Sequence, residues 1–204
     1  MFESGLTDDP ASRKVTRRVF ISSAAFFGAG LYVWWSMSKT QSAEAQRPDQ
    51  KPDEVTIVEF SDAGERKDTI HVPKVVKSES EWCKQLSSNA FEIARHDGTE
   101  MAFTGQYWNN HDPGHYRCIC CDTALFNANT KFESGTGWPS FWQPVARENV
   151  EETRDGSFGM MRTAVACHRC DAHLGHVFDD GPKPTGLRYC MNSAALDLRP
   201  AEKK

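Results

Sequence analysis

A chain of 204 residues, 39% hydrophobic and 25% charged, can hold one modest core with extensions attached. The formal net charge is −4 and the sequence pI about 6.0, which leaves no basic excess to grip a nucleic-acid backbone. Seven cysteines, an odd number with two pairs at C-x-x-C spacing, fit a metal site plus working thiols better than a disulfide framework.

Residues 1–15 are polar, and Thr16-Arg17-Arg18-Val19-Phe20-Ile21 then opens an uncharged, largely apolar run through Ser38. Ala43-Glu44-Ala45 follows, the A-x-A pattern of a cleavage site, so residues 1–45 read as a targeting segment and not as part of the fold. The adjacent arginines directly before the apolar run resemble a twin-arginine export signal. The run is also close to the ~20 residues that span a bilayer. Two outcomes stay open: cleavage after Ala45 to give a soluble periplasmic or exported protein, and retention as an anchor in the inner membrane. Residues 46–77 read as a linker and N-terminal extension, its first part rich in Pro, Asp, Gln and Lys. Residues 78–204 form the main folded domain.

Within the extension, residues 55–60 and 69–76 are β-prone and flank the turn Ser61-Asp62-Ala63-Gly64, which predicts a hairpin. Ser78-Glu79-Ser80-Glu81 is a capping box, with a Ser hydroxyl for a first-turn amide and a Glu three residues on to return the bond. It opens a short helix to about Leu86, and a second helix runs from Ser88 to about Arg95. From Met101 to Leu198 the chain is short β-prone runs split by turn residues, which predicts mainly antiparallel β structure.

Two knuckles punctuate this β region. Cys118 and Cys121, then Cys167 and Cys170, each offer two thiolates from a tight turn, and together they make a tetrahedral zinc site with Zn–S of ~2.3 Å. Four thiolates close the shell and leave no position for water, so one structural Zn2+ is expected rather than a catalytic one. Cys120 and His168 sit inside the knuckles and are not expected to be ligands. Thiolates must be reduced to take zinc, so a route that exports the folded, metal-loaded protein fits the arginine pair.

Near the C-terminus, within Thr185-Gly186-Leu187-Arg188-Tyr189-Cys190-Met191-Asn192-Ser193, residues 189–193 read as a short strand entered from the Pro/Gly turn at 181–186. Alternation projects Arg188, Cys190 and Asn192 to one side. A thiol beside a cation is expected to have a lowered pKa and a larger reactive thiolate fraction.

Three segments now line up: Tyr116–Phe126 (Y-R-C-I-C-C-D-T-A-L-F), Lys131–Phe141 (K-F-E-S-G-T-G-W-P-S-F), and the string from Cys167 to Leu196 that contains C-H-R-C, H-L-G-H and L-R-Y-C-M-N-S. Together they closely resemble the methionine sulfoxide reductase B family, over roughly Ser78 to Leu198. The resemblance implies two antiparallel β-sheets with short N-terminal helices and a zinc site away from the active site. It implies reduction of the R epimer of methionine sulfoxide, chiefly in proteins, to methionine. Cys190 would be the nucleophile, and Trp138 would wall the pocket for the substrate's S-methyl group. His173, His176 and Asn192 would position and protonate the sulfoxide oxygen, with Arg188 beside the thiol. Attack leaves Cys190 as a sulfenic acid, and a thioredoxin-like thiol reductant restores it.

The chain departs from that pattern at one place. Many relatives carry a second, resolving cysteine where this sequence has Thr136. Once the zinc ligands are set aside, Cys83, Cys120 and Cys190 remain, with Cys83 the favoured resolving thiol and direct attack by an external reductant the alternative. The expected partners are proteins bearing methionine sulfoxide and the reductant, with no nucleic acid, and the protein is expected to be a monomer. A zinc-ribbon binding module and a thiol peroxidase are the rival readings. The first leaves the Arg-Cys-Asn row unexplained, and the second shares the Cys190 sulfenic acid.

Overall fold

A computed structural model describes residues 52–156 and 161–201, so the arginine pair, the apolar run and the A-x-A site lie outside the described residues. Strands β1 (Glu54–Phe60) and β2 (Arg66–Pro73) form the expected hairpin. Helices α1 (Glu79–Gln85) and α2 (Ser88–Arg95) come next. Strands β3 (Gly114–Cys118) and β4 (Ala124–Asn127) pair with the C-terminal β11 (Leu196–Pro200) in a three-stranded sheet, order β11-β3-β4. The larger sheet takes β5 (Lys131–Phe132), β6 (Ser140–Phe141), β7 (Val150–Asp155), β8 (Arg162–Cys167), β9 (His173–Phe178) and β10 (Arg188–Met191). Its order is β5-β6-β10-β9-β8-β7, and every pairing is antiparallel. Two main sheets with two short helices match the sequence-based expectation.

The capping box closes as read: the Ser78 N–H donates to Glu81 Oε2 at 2.8 Å, and the Glu81 N–H returns to Ser78 Oγ at 3.4 Å. Ser87 caps α2 by accepting from the Ala90 N–H at 3.2 Å. Both helices are fastened to the cysteine knuckles. Gln85 donates to the Cys120 carbonyl and Arg95 to the Cys170 carbonyl, each at 2.7 Å. Between them the buried Trp82 ring lies against the Lys77 ammonium and the Arg95 guanidinium, at 4.8 and 4.9 Å.

Aromatic side chains join the two main sheets. Phe126 of β4 stacks on Phe141 of β6 at 4.5 Å, Tyr116 of β3 meets Phe141 edge-on at 5.0 Å, and Phe126 reaches Tyr189 of β10 at 5.7 Å. Tyr189 and Met191 are fully buried in this layer, so alternation turns Arg188 and Cys190 to the opposite face of β10. Register then sets a row across the sheet: Phe132, Ser140, Cys190, His176, Ala164 and Thr153 are successive partners.

The hairpin is more than a linker. Buried Asn149 donates to the carbonyls of Val58 (2.9 Å) and Ala124 (2.8 Å) and accepts from the Val58 N–H (2.7 Å). Arg117 adds bonds to the carbonyls of Phe60 and Ser61, each at 3.0 Å. A single buried amide that satisfies three backbone groups would leave all three unpaired if removed, which is the costly way to lose hydrogen bonds.

Candidate active site and metal centre

The metal centre is built from two near-identical knuckles. In each, the residue after the second cysteine is an aspartate with left-handed backbone, Asp122 (φ 62°) and Asp171 (φ 57°). Its N–H donates to the carbonyl of the first cysteine, Cys118 or Cys167, at 2.9 Å in both cases. Asp is among the residues that tolerate this conformation, so the C-x-x-C-D repeat was a usable signal that the cysteine spacing alone did not exploit. The ligand atoms of Cys118, Cys121, Cys167 and Cys170 all lie within 4.8 Å of one another. Cys118 and Cys170 Sγ are 3.6 Å apart, and Cys121 and Cys167 Sγ 3.5 Å. A tetrahedron with metal–sulfur bonds of ~2.3 Å has sulfur–sulfur edges of about 3.8 Å, so the donor set fits one ion. Cys120 is buried outside this quartet, and the His168 ring bonds the Glu148 carbonyl at 2.8 Å.

The second cluster surrounds Cys190. Gly175, between Leu174 and His176 in H-L-G-H, lets β9 approach β10: a Cβ there would lie 2.2 Å from the Cys190 carbonyl oxygen, and its φ is +152°. His176 is the direct cross-strand partner of Cys190. Its Nε2–H donates to Asp155 Oδ2 at 2.8 Å, and Arg162 holds the same oxygen at 2.9 Å. In the neutral ring the lone pair is therefore on Nδ1. His173 packs edge-on against His176 at 5.4 Å. Its Nδ1 is 3.9 Å from Asp97, its Nε2 has no partner among the described residues, and burial pushes its pKa down.

Arg188 lies beside the Cys190 thiol, as expected, but it is shared with an acid. Its Nε and a terminal nitrogen both bond the Asp180 carboxylate at 2.8 Å, and the guanidinium lies 4.3 Å over the Phe178 ring. Asp180 thus offsets much of the charge that the sequence reading assigned to the thiol. Burial pushes the Cys190 pKa up, and the opposing pulls from Thr136, Arg188 and Ser140 do not overcome it. The expected lowering is corrected: desolvation of the thiolate wins.

Asn192 is bonded as well. Its amide oxygen accepts from the Glu100 N–H at 3.0 Å, and its amide nitrogen donates to the Leu174 carbonyl at 3.2 Å. Those bonds tie it to the backbone on both sides of the site. Trp138 donates its indole N–H to the Glu100 carbonyl at 3.1 Å. Glu100, which the sequence reading missed, thus ties Trp138 to Asn192, and its carboxylate accepts from the N–H groups of Ser193 (2.6 Å) and Ala194 (3.2 Å). A lone acidic residue in a loop carries no pattern by which to find it. Ser134 and Ser140 were missed as well: Ser134 Oγ is 2.8 Å from both Thr136 Oγ1 and Ser140 Oγ, and Thr136 Oγ1 is 3.9 Å from Cys190 Sγ.

Cys83 is an exposed free thiol on α1, the helix that Gln85 fastens to the Cys120 carbonyl. The side chains acting on Cys190 are Thr136, Ser140 and Arg188.

Two knuckles whose four thiols could hold a metal ion, and a half-buried thiol paired across the sheet with a carboxylate-held histidine, are carried on one antiparallel β scaffold. Residues 86–200 match the SelR domain family model, and the chain belongs to that family. It is 56% identical over 130 residues to "Peptide methionine sulfoxide reductase MsrB" of Acinetobacter baylyi, covering 64% of this chain and 94% of that protein. It is 55% identical over 131 residues to the protein of the same description from Synechococcus sp. (strain RCC307), covering 64% and 96%. The hairpin, α1 and Cys83 precede the family match.

Alkylation of Cys190 by iodoacetamide, followed at its own peptide by mass spectrometry, is expected to have a pH midpoint above the ordinary thiol value of 9.0. Asp180→Asn, which leaves Arg188 un-neutralised, is expected to bring the midpoint down. A midpoint at about 7 in the unaltered protein would show that the cation, and not burial, dominates.

Proposed function

We propose that this chain is a peptide-methionine (R)-S-oxide reductase that repairs oxidised proteins. The observation that carries the reading is the cross-strand pairing of Cys190 with His176, next to the segment that holds Trp138 between Thr136 and Ser140. Cys190 sulfur takes the oxygen: the sulfoxide sulfur gains two electrons and leaves as methionine, and Cys190 becomes a sulfenic acid. A thiol held largely protonated by burial does this only if the substrate oxygen draws a proton in the same event. His176, oriented through Nε2–H on Asp155, takes the Cys190 thiol proton on its Nδ1 lone pair and passes it to the sulfoxide oxygen. His173, buried and pushed toward the neutral form, supports the His176 ring. Trp138 walls the methyl pocket, while Asn192 and Glu100 hold that wall in place. Burying one methyl contributes only ~1 kcal/mol, so epimer choice rests on meeting oxygen and methyl in fixed places.

Regeneration falls to an external, thioredoxin-like reductant. One thiol attacks the sulfenic sulfur and releases water, and a second opens the mixed disulfide to return Cys190 and leave the reductant oxidised. Support comes from Thr136, whose hydroxyl lies beside Cys190 where many relatives carry the resolving cysteine. The four-cysteine centre holds one structural Zn2+ through Cys118, Cys121, Cys167 and Cys170, and it keeps the two hairpins joined.

The purified protein, one zinc per chain by metal analysis, is expected to reduce the R but not the S epimer of a methionine sulfoxide peptide with dithiothreitol. Cys190→Ser is expected to abolish this. Peroxide consumption without sulfoxide reduction would favour the peroxidase reading instead.

The arginine pair and apolar run support export by a twin-arginine route, with residues 1–45 as signal or anchor, 46–77 as an extension that includes the β1–β2 hairpin, and 78–204 as a monomeric reductase domain. The protein would then work in the periplasm, soluble or tethered to the inner membrane. Replacing Arg17 and Arg18 by lysine is expected to strand it in the cytosol on cell fractionation, and unchanged export would remove this assignment.

A further inference from the structure

The loop after Glu100 carries two large apolar side chains into solvent. Met101 is 76% exposed and Phe103 55%. Phe103 is held in left-handed backbone (φ 65°), a region that bulky residues avoid and keep only where their surroundings dictate it. Three contacts do so here. The Phe103 N–H donates to the Gly137 carbonyl at 2.8 Å, and the ring meets Trp108 edge-on at 5.4 Å. Gly137, itself at φ +89°, brings its backbone under the ring: a Cβ there would lie 2.8 Å from Phe103 Cδ2. A solvent-exposed aromatic is thus fixed in place at a cost in backbone strain, one residue away in space from Trp138.

The two loops that meet at Phe103 carry no charged side chain of their own, and Lys131, a cation that reaches them, is spent on the Trp108 carbonyl at 3.2 Å. Residues 101–110 and 134–143 carry no Asp, Glu, Lys or Arg, in a chain that is 25% charged. Trp138 is bonded to Glu100, the residue just before Met101, so the exposed apolar pair is continuous with the wall of the proposed methyl pocket. A pocket sized for one side chain needs no such extension for a free amino acid, whose charged amine and carboxylate would lie against it.

We propose that Met101 and Phe103 form an apolar rim that docks the large uncharged residues flanking the oxidised methionine in a polypeptide substrate. The rim rests on the reductase reading and deepens it: it selects apolar segments of the kind exposed when a protein unfolds. Packing one such residue against a half-exposed aromatic ring is worth about tenfold in kcat/KM.

The test compares three R-sulfoxide substrates on the zinc-loaded enzyme: N-acetyl-methionine sulfoxide amide, a peptide with Leu and Phe on either side of the sulfoxide, and the same peptide with Glu and Lys there. Phe103→Asn is the main variant, because Asn tolerates left-handed backbone. Met101→Gln is the second, since a side chain so exposed can be changed without disturbing the core. Each variant is expected to lose about tenfold in kcat/KM, through KM, on the Leu/Phe peptide and to keep its rate on the N-acetyl amide. The unaltered enzyme is expected to prefer the Leu/Phe peptide over the Glu/Lys one. An equal loss on the peptide and the N-acetyl amide, or no loss on either, would overturn the rim. Failure of the unaltered enzyme on all three substrates would instead overturn the reductase reading beneath it.

Discussion

Burial of Tyr189 and Met191 between the two sheets is the constraint on which the site depends. A strand slipped by one residue exchanges its faces, which would expose that pair and drive Arg188 and Cys190 into the aromatic layer. Phe126 and Phe141, stacked at 4.5 Å, leave no room for a guanidinium there. The hydrophobic core therefore fixes which face Cys190 occupies, and the ladder fixes its neighbours, Ser140 on one side and His176 on the other. Catalytic geometry here is a by-product of core packing plus register.

The same burial decides the electrostatics. A cation two residues from a thiol suggests activation in the resting state, yet Arg188 gives its two bonds to Asp180, and desolvation raises the Cys190 pKa. A thiol kept mostly protonated is slow to react with passing oxidants and alkylating agents, because thiolate is the reactive form. In the proposed mechanism, reaction then waits for a substrate whose oxygen accepts a proton next to His176. The resting protection and the substrate requirement have one cause, the exclusion of water from the sulfur.

How legible this was from the sequence depended on whether a feature was local. The capping box at Ser78, the two knuckles, the hairpin of β1 and β2 and the outward face of β10 each follow from spacing within a few residues, and each was readable. Long-range partners were not. Asn149, which fastens the hairpin, bonds Val58 from 91 residues away, and Glu100 bonds Ser193 from 93. Neither stands in a pattern that marks it. The partners of Arg188 and Asn192 were hidden for the same reason: alternation gave the face of Arg188, while Asn192 falls just past the end of β10, and neither reading showed that Asp180, Glu100 and Leu174 would bond them.

The central claim is that one buried sulfur, Cys190, takes the oxygen. A single turnover tests it most directly. One equivalent of R-sulfoxide peptide is added without any reductant, and dimedone then traps sulfenic acid. The account predicts up to one methionine released per chain, with the dimedone adduct on the Cys190 peptide and none on Cys83 or Cys120. Methionine release with the adduct on another cysteine, or with Cys190 left as a free thiol, would contradict it.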